Sequence, residues 1–175
     1  LSSVWAAGID TAAFRLEQDI EVAMLWVDRD AFRRRGMDAD SAIRAVGAAL
    51  RRVPGVMRAD EVRQLRAGDA GRAERDYVTR RWLHMLPADL GVELVVTLEP
   101  HVYWSHVVCS THGSPHDYDA HVPVIFYGPW FNGGRFPGVT RVVDIAPTLA
   151  YILGVRPTEE LDGRVLTQAL KRGGS

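Results

Sequence analysis

One pattern limits what this chain can fold into: three apolar runs, each only as long as a strand, separated by stretches of helical spacing. Residues 22–27 (Val-Ala-Met-Leu-Trp-Val), 92–98 (Val-Glu-Leu-Val-Val-Thr-Leu) and 122–128 (Val-Pro-Val-Ile-Phe-Tyr-Gly) are each bounded by charge, proline or glycine. All three predict strands, the first as a short apolar run covered on both faces and the second by its β-branched content. Between the first two, Asp38-Ala-Asp-Ser offers N-cap oxygens, and Ile43, Val46, Ala49 and Leu50 recur at helical intervals until Pro54-Gly55 ends the element. Ala73, Tyr77, Arg80 and Trp82 mark a second helix that stops before Pro87. A third runs from Asp144 as N-cap, through Pro147 in the first turn, to Gly154 as C-cap. Strands alternating with helices place the chain in the α/β class.

The segments between are shorter. Residues 11–18 read as a short helix, 28–36 as a charged, Arg-rich turn, 56–58 as a short strand and 60–65 as a turn or the start of a helix. Residues 129–138 form an aromatic, Gly-rich surface loop, and 161–166 a turn with a short closing element.

With 175 residues, 47% hydrophobic and 25% charged, the chain suffices for one soluble globular unit with a sizeable core. Its net charge of -1 leaves no basic excess for neutralising phosphates, which argues against a nucleic-acid duplex as the main partner. Arg33, Arg34, Arg35, Arg51, Arg52, Arg80 and Arg81 read as solvated helix faces, with a phosphate-binding patch as the alternative. No run approaches the roughly 18 apolar residues of a membrane span. The single cysteine, Cys109, has no internal disulfide partner and reads as a small core residue. Starting at Leu1 without Met or a signal-peptide pattern, the chain reads as a fragment or a processed product.

Chemistry concentrates in residues 111–123, Thr-His-Gly-Ser-Pro-His-Asp-Tyr-Asp-Ala-His-Val-Pro, which hold three of the six histidines. A polar stretch rich in Gly and Pro, directly before a strand-like run, predicts a loop that delivers side chains to the end of a sheet. His112 and His116 are four apart, but Gly113 and Pro115 disfavour the helix that would bring both imidazoles to one face. Zinc takes about three or four protein ligands, so the loop alone makes a weak site. His116 and His121 read as structural hydrogen-bonding residues, with contacts to outer carboxylates or to substrate as the alternative. Asp119 either orients the His112 imidazole or caps the loop. Thr111 and Ser114 lack a nucleophile elbow or a recognisable paired base, so neither is assigned as a nucleophile. Helix capping explains Asp144 without a metal, and His84, His101 and His106 are isolated.

Three segments together resemble a known family. They are Thr111-His112-Gly113-Ser114, the run from Tyr118-Asp119-Ala120-His121 through Val122-Pro123-Val124-Ile125-Phe126-Tyr127-Gly128, and Val143-Asp144-Ile145-Ala146-Pro147-Thr148-Leu149-Ala150 with Gly154. These resemble the C-terminal part of the alkaline phosphatase superfamily. The nearest branch is the type I phosphodiesterase/nucleotide pyrophosphatase one, and within it the bacterial alkaline phosphatases with a Thr nucleophile. The resemblance is strongest over residues 92–166 and extends to 42–56.

The resemblance implies an α/β/α sandwich with a mostly parallel sheet. Residues 1–175 would be the C-terminal portion of a single catalytic domain, whose nucleophile-bearing part lies upstream. It further implies a zinc-dependent hydrolase of phosphate esters that works through a covalent phosphoenzyme at two zinc ions, on a small-molecule phosphate ester, and is exported to the periplasm or cell exterior. The His-Gly motif makes His112 one zinc ligand. The family's Asp-x-x-x-His motif and Asp-His pair, which precede the His-Gly motif there, have no match before it here, and nothing in the first twenty residues resembles the nucleophile turn. No catalytic residue is therefore carried over, and the isolated chain is expected to be inactive. Alternatives on the same scaffold are a nucleotide pyrophosphatase or a phosphonate or sulfate ester hydrolase. A different class of reading is a non-catalytic α/β module that binds a ligand or partner through Trp130, Phe131 and Phe136.

Overall fold

The computed structural model describes residues 14–16, 23–68, 76–103 and 112–171, and divides the chain into two compact units, Leu1–His121 and Val122–Ser175. No helix among the described residues is long and apolar enough to cross a membrane.

The first unit is built on four strands, β1 (Phe14–Leu16), β2 (Ala23–Val27), β3 (Val56–Glu61) and β4 (Leu94–Leu98), in the order β1-β2-β4-β3. Its helices are α1 (Arg29–Arg34), α2 (Ala39–Leu50), α3 (Val62–Ala67), α4 (Tyr77–Met85) and the single turn α5 (Asp117–Ala120). Successive side chains of a strand point to opposite faces, and the two cores follow that rule. Leu25, Ala59, Leu94 and Val96 pack with Ile43 and Val46 of α2 on one face. Met24 and Val95 pack on the other with Val62 and Leu65 of α3 and with Val78 and Trp82 of α4. Trp82 is fully buried, and its indole N–H donates to Thr97 Oγ1 at 2.8 Å, so the one polar atom of the ring is satisfied inside the core.

Helices and strands mix as the α/β class requires, but the direction of these strands does not follow the expectation. The sheet was expected to be mostly parallel; here β1–β2, β2–β4 and β3–β4 are all antiparallel. Continuous apolar runs signal burial on both faces, and that is usual for parallel sheets. In this unit α2 covers one face and α3 with α4 the other, so an antiparallel sheet produces the same composition.

Helix starts follow from caps. Asp38 accepts the N–H groups of Asp40 (3.2 Å) and Ser41 (3.0 Å) to open α2, and Asp76 accepts those of Val78 (3.1 Å) and Thr79 (3.3 Å) to open α4. Residues 28–36 were expected to turn. Instead Asp28 accepts the Ala31 N–H at 2.9 Å and starts α1, which buries Ala31 and Phe32. Two turns of helix are too short to leave a periodic signal. The short helix expected over residues 11–18 is also corrected: the described part, Phe14–Leu16, is strand paired with Val27–Leu25.

Among its described residues the second unit holds the helix α6 (Ile145–Leu153), with 3₁₀ turns at Val142–Asp144 and Thr167–Ala169 and an isolated bridge between Phe131 and Leu170. Gly154, at φ 64°, ends α6 in the left-handed conformation, as its position predicted. Asp144 has a different role from the expected N-cap. Its carboxylate makes no cap bond to α6. Buried to 1% exposure, it accepts the Arg141 N–H through one oxygen and the Arg164 N–H through the other, both at 2.9 Å. Thr148 continues the tie: its hydroxyl donates to the Asp144 carbonyl (2.7 Å) and accepts the Leu166 N–H (3.0 Å).

Residues 122–128, expected as a strand, are assigned to none among the described residues. A strand exists through its ladder, and composition does not report whether a neighbour is present.

Candidate functional site

His112 is exposed and is followed by Gly113 at φ 98°, a conformation that a side chain rarely adopts. Beyond this turn the loop closes on itself, because the Ser114 N–H donates to Asp119 Oδ2 at 2.6 Å. Asp119 therefore caps the loop, which was one of its two expected roles. His116 O accepts the N–H groups of Asp119 (3.1 Å) and Ala120 (3.0 Å) and starts α5.

Of the loop's histidines, His112 and His121 are exposed, whereas His116 is buried at 3% exposure. Its Nε2 lies 2.8 Å from the carbonyl oxygen of Leu98, the last residue of β4, and its Nδ1 lies 3.5 Å from the Tyr77 hydroxyl at the start of α4. The Tyr118 ring stacks on it at 5.5 Å between centroids, and His101 stacks on Tyr118 at 4.6 Å. His101 sits at φ 64°, and its backbone N–H donates to the Tyr118 hydroxyl at 3.0 Å. The structural reading of His116 is the one the geometry supports.

Arg81 completes the arrangement. One of its amino groups donates to the Pro115 carbonyl and the other to Asp117 Oδ1, each at 2.6 Å, and its guanidinium lies 5.1 Å from the centre of the Tyr77 ring. The hydrogen bond from Arg81 holds the Asp117 carboxyl below its ordinary range, with the charge of Arg81 acting in the same direction. Asp117 and His121 have Asp-x-x-x-His spacing, but Asp117 is committed to Arg81 and no third group joins them: no three His, Cys, Asp or Glu converge as a metal site among the described residues. The described residues therefore do not make a closed zinc ligand set, and His112 lies exposed at the edge of the loop.

In the sequence Tyr77 reads only as a helix position, Arg81 as part of a solvated helix face, His101 as isolated and Tyr118 as part of the family-like run, because 34 residues separate Arg81 from Pro115 and 39 separate Tyr77 from His116. Arg81 instead holds the Pro115 carbonyl and the Asp117 carboxylate, and His101 packs on Tyr118. Thr111, His106 and Cys109 lie outside the described residues. His84 is exposed near the end of α4. In the aromatic loop, Phe131 stacks on Phe126 at 4.8 Å, while Trp130 and Phe136 are partly exposed.

No family model matches the chain. Among curated proteins it is 42% identical over 80 residues to the alkaline phosphatase PhoD of Zymomonas mobilis, a match covering 42% of this chain and 14% of that protein. It is 36% identical over 63 residues to a protein named calcium-transporting ATPase of Myroides odoratus, covering 36% of this chain and 12% of that one. The crystal structure of the alkaline phosphatase PafA superposes on 97% of this chain with a TM-score of 0.69 at 16% identity, and this chain spans 31% of it. A mutant form of PafA superposes on 85% with a TM-score of 0.63 at 18% identity, over 28% of its length.

Proposed function

We propose that this chain belongs to the alkaline phosphatase superfamily and is the C-terminal portion of a zinc-dependent hydrolase of small phosphate esters, in which His112 is one zinc ligand. The observation that carries the reading is the His112-Gly113 step: an exposed imidazole at a glycine turn, presented by a closed loop, in a chain that superposes along most of its length on an alkaline phosphatase. On this reading the remaining ligands and the hydroxyl nucleophile come from polypeptide upstream, and the phosphoryl group passes through a covalent phosphoenzyme. A pair of zinc ions supplies the lowered pKa of the attacking oxygen and the stabilisation of the leaving oxygen. Export to the periplasm or cell exterior accompanies the reading.

The test is elemental analysis of the upstream-extended protein and its His112→Ala variant, with hydrolysis of p-nitrophenyl phosphate followed on both. Two zinc ions in the parent, with one lost and turnover collapsed in the variant, are expected. Unchanged zinc and turnover in the variant would remove His112 from the site. Running the phosphate diester, phosphonate and sulfate analogues beside the monoester separates a phosphatase from the nucleotide pyrophosphatase and the phosphonate or sulfate hydrolases of the same scaffold.

A further inference from the structure

The buried His116 does more than fill space, because both of its ring nitrogens have directed partners. The Leu98 carbonyl can only accept, so Nε2 at 2.8 Å carries the hydrogen and Nδ1 turns its lone pair toward the Tyr77 hydroxyl at 3.5 Å. One imidazole thereby bridges the end of β4 and the start of α4. Arg81, one helical turn after Tyr77, grips the same loop through the Pro115 carbonyl and the Asp117 carboxylate. With Ser114 held by Asp119, the backbone of residues 114–119 is fixed within the first unit, and Gly113 alone separates it from His112.

We propose that His116 and Arg81 are positioning residues for His112: they clamp the loop so that the His112 imidazole is held where a metal ligand is needed. The inference rests on the zinc-ligand reading of His112. A ligand on a loose loop must be ordered when the metal binds, whereas one a single residue from a clamp is ordered beforehand. Residues that orient a ligand without touching the metal typically change its affinity by about 10- to 100-fold.

The experiment measures zinc affinity by chelator competition in the upstream-extended protein, alongside the thermal midpoint of the metal-free form. His116→Leu keeps the bulk and loses both hydrogen bonds; Arg81→Met loses the grip on Pro115 and Asp117; His116→Gln places an amide N–H within reach of Leu98 O. We expect the first two to weaken zinc binding about tenfold while still reaching the parental zinc content at saturation, and His116→Gln to restore most of the loss. Should His116→Leu fail to fold, Arg81→Met carries the test alone. A lowered metal-free midpoint with parental zinc affinity would reduce both residues to a structural role and overturn the inference, provided that His112→Ala weakens binding. If His112→Ala leaves zinc affinity unchanged, the ligand assignment falls and takes this inference with it.

Discussion

Leu1–His121 and Val122–Ser175 are comparably apolar stretches held together in different ways. The first buries side chains on both faces of a sheet, with Trp82, Ile43, Leu94 and Val95 at 2% exposure or less. Among the described residues of the second, the buried apolar side chains are Leu166 and Leu170, while Ile125, Val139, Tyr151 and Leu153 remain more than half exposed. Its tightest point is polar: Asp144 and Thr148, at 1% and 0% exposure, bond backbone groups from residues 141, 144, 164 and 166. Burial of area therefore dominates in one unit and satisfaction of directed hydrogen bonds in the other. Substitutions should tell them apart.

The largest effect is expected at Trp82. Trp82→Ala removes the ring that fills one face of the sheet and leaves the Thr97 hydroxyl without its partner, at a cost of about 3–5 kcal/mol by urea denaturation. A loss below about 1 kcal/mol would show that the sheet core is not what stabilises this unit. Next is Asp144→Ala, which strips the acceptor from two backbone N–H groups at about 1–3 kcal/mol each. Amide exchange should locate that loss at residues 141–166 and leave the amides of β4 unchanged.

Acid sharpens the same contrast. The N–H groups of Arg141 and then Arg164 donate into the Asp144 carboxylate and hold its pKa below the ordinary range. A carboxyl whose folded pKa is depressed contributes stability that is fully present above the unfolded value of about 4 and disappears as pH falls through the folded value. Amide protection around residues 141–166 should fall in that window in the parent and lose its pH dependence in Asp144→Asn. The smallest effect is expected at Asp30, whose pair with Arg33 is exposed on both sides: Asp30→Ala should change stability by less than about 0.5 kcal/mol.

Legibility in the sequence follows the range of the interaction. Asp38 as the cap of α2, Gly154 as the end of α6 and the apolar run of β4 depend on neighbours a few residues away, and all were readable. Strand direction, the missing ladder at residues 122–128 and the two-sided role of Asp144 depend on partners distant in the chain. The same division runs through the candidate site. That residues 112–116 form no helix was readable from Gly113 and Pro115, whereas the clamp made by Tyr77 and Leu98 on His116, and by Arg81 on Pro115 and Asp117, spans 18 to 39 residues and leaves no local trace.

The run at residues 122–128 has a further consequence for the chain in bulk solution. Val124, Ile125, Phe126 and Tyr127 are β-branched or aromatic and uncharged, and Ile125 and Tyr127 are among the most exposed apolar side chains. Such a segment is a template for cross-β growth between copies. Pro123 and Pro129 stand on either side of it, and neither has an N–H to donate to an incoming strand. They act as gatekeepers, limiting the adhesive stretch to fewer residues than the six or seven from which a steric zipper is typically built.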